Sequence, residues 1–135
     1  MASVTTKISA ARYSDLDLNF TAHPIKKDIN KNLDAMAVIN SVKNLILTGH
    51  YERPFHPEIG SSIAKMLFEN MDNITASNLA REIRQVIENF EPRVKVNNVI
   101  VSPDFDNNAY SIGMQFTLIN QTTPITIQFF LQRVR

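Results

Sequence analysis

Apolar positions recur with a helical period in the first part of the chain and with a strand period in the last. From about Leu33 to Leu47, the residues Leu33, Met36, Ala37, Val42, Leu45 and Ile46 recur at steps near one helical turn, and Gly49 stands where a helix would stop. A second, short helix is predicted around Ser61 to Asn70, with Ile63, Met66 and Leu67 turned inward. The third is the most regular: Leu79, Ile83, Val86, Ile87 and Phe90 form one apolar stripe, with Thr75 as the expected N-cap. Arg81, Glu82, Arg84, Gln85 and Glu88 lie on the opposite face, which reads as solvated or partner-facing.

After Pro92 the period becomes two. Val94, Val96 and Ile100 sit on alternate positions, and Tyr110, Ile112, Met114, Phe116 and Leu118 alternate with Ser111, Gly113, Gln115 and Thr117. Ile125, Ile127, Phe129 and Leu131 then alternate with Thr126, Gln128, Phe130 and Gln132. The joints "SPDFDNN" and "NQTTP" are turn-rich and short, so an antiparallel meander with helices over its apolar face is predicted. Residues 1–30 hold no sustained helical period and carry Pro24, which predicts an extended arm with one short strand. The expected fold class is α+β: about three helices, then an antiparallel three-stranded C-terminal sheet, preceded by an extended N-terminal arm.

A chain of 135 residues that is 44% hydrophobic and 20% charged suits one globular domain spanning 1–135. The net charge is +1 and the basic residues are scattered, so no stripe that could follow a phosphate backbone is present, and nucleic acid is not expected as a partner. The chain has no cysteine, which excludes disulfides and thiol catalysis. No apolar run approaches the ~18 residues of a membrane span, and "MASVTTKISAARYSD" lacks the apolar middle of a signal peptide. A soluble chain made and folded in a cytoplasm, with no membrane partner, is expected.

Candidate chemistry concentrates at two joints. In "IENFEPRVKV", Pro92 disfavours helix at Glu91 and ends the third helix near Phe90. The segment is thereby expected to be extended, where residues i and i+2 point to the same side, so Glu91 and Arg93 share one side, about 7 Å apart. They read either as a helix terminator beside a weak surface ion pair or as a rigid contact point offering an arginine fork to a partner. On the second reading, Arg93→Ala should leave the isolated domain folded and weaken assembly. The loop "ERPFHPEIG" has two prolines and a glycine in nine residues, giving it a restricted shape. Phe55 within it reads as a core plug or an interface anchor, and the burial habits of Phe favour the plug.

Catalytic templates find little to match. Glu52, Glu58, Glu69 and Glu91 are the candidate acids of a glycosidase, but no motif forces two of them across a cleft, and Arg93 would lower the Glu91 pKa. His23, His50 and His56 make no metal-ligand spacing, so neither metal nor cofactor is expected.

"FEPR" directly after an amphipathic helix, "RPFHPEIG" followed shortly by "LFENM", and "YSDLDLNF" near the N-terminus together resemble the baseplate wedge protein family of contractile-tailed bacteriophages, the sheath initiators, which has relatives in type VI secretion baseplates. The family was long labelled lysozyme-like and is understood as structural. The resemblance implies a virion component of the inner tail baseplate, assembled in the host cytoplasm. It further implies a protein that is not an enzyme, holds wedge proteins together and templates the first ring of sheath by strand addition; the alternative is a peptidoglycan-cleaving glycosidase. Implied partners are other wedge proteins and the tail sheath protein, with tube or hub proteins beyond them. The family's Glu-Pro-Arg signature falls on Glu91, Pro92 and Arg93, implied to contact the wedge core. Its loop signature falls on Arg53, Pro54, Phe55, Pro57 and Gly60, and His56 departs from the pattern. The last strand reads either as an ordinary edge blunted by Arg133 and Arg135 or, as the resemblance implies, as a recruiting edge on which Gln128, Phe130, Gln132 and Arg133 meet the sheath.

Overall fold

The computed structural model describes residues 13–17, 20–29, 31–119 and 121–133, so Arg135 and part of the "YSDLDLNF" motif lie outside the described residues. The elements run β1 (Ser14–Leu16), β2 (Lys31–Leu33), α1 (Asp34–Leu47), α2 (Ile63–Met66), α3 (Asn73–Phe90), β3 (Val94–Asp104), β4 (Ala109–Leu118) and β5 (Ile125–Gln132). Two compact units contain them, one within Met1–Val38 and one within Ile39–Arg135. The predicted α+β class holds: three helices precede an antiparallel sheet of order β3-β4-β5.

In the first unit β1 pairs antiparallel with β2, Asp15 opposite Asn32, where one short strand was expected. A turn between them is closed by His23 N donating to Asp28 O at 2.7 Å.

In α1 the buried stripe is Ala37, Val38, Val42, Leu45 and Ile46, whereas Leu33 is half exposed in β2 and Met36 faces outward. Val38, Val42, Leu45 and Ile46 follow the helical repeat, and Leu33 precedes the helix, which begins at Asp34. α2 is a single turn instead of a helix over Ser61 to Asn70; past it, Phe68 N and Glu69 N donate to the carbonyls of Lys65 and Met66 in tight three-residue steps.

α3 begins earlier than Thr75. Asp72 is the N-cap, extended at φ −144°, and its carboxylate accepts from Thr75 N at 2.6 Å, so Thr75 lies buried in the first turn. Leu79, Ile83, Val86 and Ile87 are buried as the stripe predicts, and α3 packs against β3.

β4 is the centre of the sheet, with Tyr110, Ile112, Met114, Phe116 and Leu118 all buried on the helix side. The Tyr110 hydroxyl has no hydrogen-bond partner among the described residues, and burial pushes its pKa up. β3 departs from strict alternation. Val96 pairs with Phe116 and Asn98 with Gln115, leaving Asn97 as the extra residue of a bulge. The bulge reverses the face of everything after it, so Ile100, expected inside, is 58% exposed. Asn97 is held by its amide nitrogen donating to Thr117 Oγ1 at 2.7 Å.

Candidate functional site

Three features of the second unit carry the sequence signatures. The first is the joint after α3. Glu91 N still donates to Ile87 O, and Val94 N closes a turn onto Glu91 O at 3.1 Å with Pro92 in its second position, where proline's fixed φ is favourable. The segment is therefore a turn and not an extended i, i+2 pair. Arg93 folds back on Glu91 with both arms of its fork, Nε to Oε1 at 2.5 Å and Nη2 to Oε2 at 2.7 Å. Ser41 Oγ of α1 donates to the same Oε2 at 2.6 Å. Glu91 is 3% exposed, so the pair is neither a weak surface bridge nor a carboxylate offered outward.

Burial pushes the Glu91 carboxyl up, but the hydrogen bonds from Arg93 and Ser41 and the nearby guanidinium outweigh it and hold the pKa below the ordinary value. A buried carboxylate without its cation is costly by roughly 3–5 kcal/mol. Arg93→Ala is therefore no longer expected to leave the domain intact, because it strands Glu91. Pro92 is exposed and Arg93 half buried, so these two form the outward side of the joint.

The second feature is the loop between α1 and α2. Its ends are clamped: Ser61 N donates to Thr48 O at 2.9 Å, Ser61 Oγ to Ile46 O at 2.7 Å, and Gly49 bridges Ser61. Gly60 explains its place in the signature. It lies at φ +156°, and a Cβ there would sit 2.6 Å from Gly49 O. Further in, Tyr51 N donates to Pro57 O at 3.0 Å, Gly49 N to Glu52 Oε2 at 2.9 Å, and His56 pairs with Glu58 at 3.1 Å. Phe55 is 97% exposed, which overturns the core plug: the prolines and clamps turn this segment away from the helices. Tyr51 is 82% exposed, and both residues sit at φ +70°. Left-handed backbone at a bulky residue costs about 1 kcal/mol or more. Arg53 and Pro54, between the two rings, are exposed as well.

The third feature is β5. It is an edge strand, and Ser111 of β4 faces Phe130 while Gly113 faces Gln128. Arg133 N donates to Asn108 O at 3.0 Å, so in the alternating antiparallel ladder the odd-numbered residues turn their backbone groups to β4. Thr126, Gln128, Phe130 and Gln132 therefore turn theirs to the open edge, and their side chains are exposed on the outer face, Phe130 at 68%. Arg133 is occupied within the domain: Nε donates to Leu67 O at 3.1 Å and Nη2 to Phe68 O at 3.4 Å, tying the end of β5 to the end of α2. Shallow hollows of about 310 and 150 Å³ flank Phe130, and one of about 280 Å³ lies over Gly113 between Ile100 and Gln128.

Sequence reasoning missed Ser41, Tyr51 and Asn97. Ser41 lies 50 residues from Glu91 along the chain, with no pattern to join them. The bulge at Asn97 leaves only a faint trace, the doubled asparagine where alternation breaks.

The fold is shared with subunits of contractile tail machinery. A protein of Geobacter sulfurreducens provisionally named a tail lysozyme matches with a TM-score of 0.68 at 18% identity, over 73% of this chain and 89% of that one. A chain of the anti-feeding prophage baseplate matches with a TM-score of 0.62 at 18% identity, over 91% and 87%. In sequence, baseplate wedge protein gp25 of Enterobacteria phage T4 is 33% identical over 113 residues, 84% of this chain and 85% of that protein. Residues 34–123 match the baseplate wedge protein gp25 family, and the chain belongs to that family. It is thus a baseplate wedge protein of a contractile tail system, a structural part of the tail. The matched span takes in the loop and the Glu-Pro-Arg joint and stops short of β5.

Proposed function

We propose that this wedge protein is a non-enzymatic scaffold that joins other wedge proteins and templates the tail sheath by accepting a sheath strand on β5. One observation carries the reading: four residues of β5 turn their backbone groups to an open edge while Arg133 anchors the strand's end. Such an edge fits β-augmentation, in which main-chain pairing provides affinity and a side chain such as Phe130 provides selectivity. Gln128 and Gln132 line the same outer face. Arg133 contributes by fixing the strand. The Glu-Pro-Arg joint serves the wedge side: Glu91 orients Arg93, and Arg93 with Pro92 meets the wedge core. Tube or hub proteins lie beyond these contacts, and assembly takes place in the host cytoplasm.

Against a glycosidase, the carboxyls of Glu58, Asp72, Glu91 and Asp104 are all held below their ordinary values, the opposite of what a general acid needs. No carboxylate is among the described residues lining the three hollows. Gln128→Pro or Phe130→Pro removes one outward amide without breaking the ladder to β4. Baseplates carrying either variant should form and fail to nucleate sheath. Normal extended sheaths on such baseplates, seen by electron microscopy, would refute the template, and clearing of a peptidoglycan zymogram by the purified chain would restore the enzyme.

A further inference from the structure

The loop between α1 and α2 makes two local choices that a free surface loop has no reason to make. Tyr51 and Phe55 both adopt left-handed backbone, where glycine or asparagine is favoured and bulky side chains are strained, and both are more than four-fifths exposed. Among the described residues nothing compensates, because both rings are exposed. The loop is nevertheless held in one shape by the Tyr51 to Pro57 hydrogen bond, the Glu52 carboxylate on Gly49 N and the Gly60 approach to Gly49. A loop that is already ordered loses little entropy on binding.

Its charges are sorted as well. Glu52 is taken up by Gly49 N and Glu58 by His56, while no described residue pairs with the Arg53 guanidinium, which lies in sequence between the two rings. Two exposed aromatic rings around an unpaired arginine are the residue types that dominate protein interfaces.

We propose that this loop is a preformed anchor in which Phe55 and Tyr51 enter an apolar pocket on another wedge protein, with Arg53 meeting a carboxylate on the pocket's rim. Because the contacts are made by the Phe55, Tyr51 and Arg53 side chains, this recognition is separate from strand addition at β5. The inference rests on the reading of the chain as a scaffold that binds other wedge proteins; it does not depend on the sheath template.

The test uses the full chain and the remaining wedge proteins of the same tail, purified and immobilised. Phe55→Gly places the residue favoured at φ +70° in the loop, so its melting temperature should equal or exceed that of the wild type. Its dissociation constant for the wedge should rise at least about tenfold. Arg53→Glu should leave the melting temperature unchanged and weaken binding comparably. A photo-crosslinker at Tyr51 should join the loop to a wedge protein peptide bearing apolar and acidic residues.

A melting temperature lowered by more than about 5 °C in Phe55→Gly would make the ring structural and overturn the proposal. So would unchanged wedge affinity in both variants, or loss of binding only to phosphatidylglycerol vesicles, which would make the loop a membrane contact. Gln128→Pro separates the readings: wedge binding lost in the loop variants but kept in Gln128→Pro supports two independent surfaces. A wild-type chain that does not bind the wedge counts against both.

Discussion

Glu91 shows how a residue's environment reverses what its neighbours in sequence suggest. An acid two positions from a base is ordinarily a weak solvated pair, yet burial together with the Arg93 fork and the Ser41 hydroxyl makes this one a structural clasp. Its folded-state pKa lies below the ordinary 4.5, so its stabilising effect is full above that value and is lost as pH falls through the folded value. Glu91→Gln should therefore cost about 3 kcal/mol near neutral pH, with the gap to wild type narrowing in urea titrations at successively lower pH from about 5 downward. A gap independent of pH would mean that the charge is not what holds the joint. Tyr110 is the opposite case. Its ring is buried and its hydroxyl lacks a partner among the described residues, so Tyr110→Phe should raise stability by about 1 kcal/mol in the same assay.

Elements meet through backbone at the start and end of the α1–α2 loop. Gly60 lies against the Gly49 carbonyl, and the Gly49–Ser61 bridge registers the end of α1 with the start of α2. Gly60→Ala forces a Cβ into a backbone that cannot yield as a flexible side chain would. It should lower stability by about 2 kcal/mol, measured by chemical denaturation, while Pro54→Ala on the exposed stretch stays within about 0.5 kcal/mol. Equal effects at the two positions would show that the clamp is unimportant. The β3 bulge works at this scale too: one extra residue keeps Val94 and Val96 inward and sends Ile100 out beside the hollow over Gly113.

For the whole molecule, the second unit divides its surfaces by direction. The inner face of the sheet is covered by α3 and carries the buried positions of β4, whereas among the described residues the outer face and the β5 edge are uncovered. Replacing Phe130 by Gln should leave folding within about 0.5 kcal/mol, since the ring is exposed, and should reduce sheath nucleation on assembled baseplates. Calorimetry on the chain and micrographs of the baseplates check the two halves. A large loss of stability would show that Phe130 belongs to the core, and unchanged nucleation would remove it from the sheath contact.

Period, with the turn-rich joints between strands, determined the α+β class, the three helices, the meander and the inward sets of α3 and β4, because burial of one face imposes a repeat that local sequence must carry. The motifs "RPFHPEIG" and "FEPR" carried the family, which the match over residues 34–123 bears out. Tertiary structure alone decided the rest. Burial of Glu91 depends on a serine from another helix, and exposure of Phe55 depends on clamps at the far ends of its loop. The outward turn of Ile100 depends on where β4 pairs with β3. Each of these is set by a contact between residues distant in the chain, and no periodicity encodes such a contact.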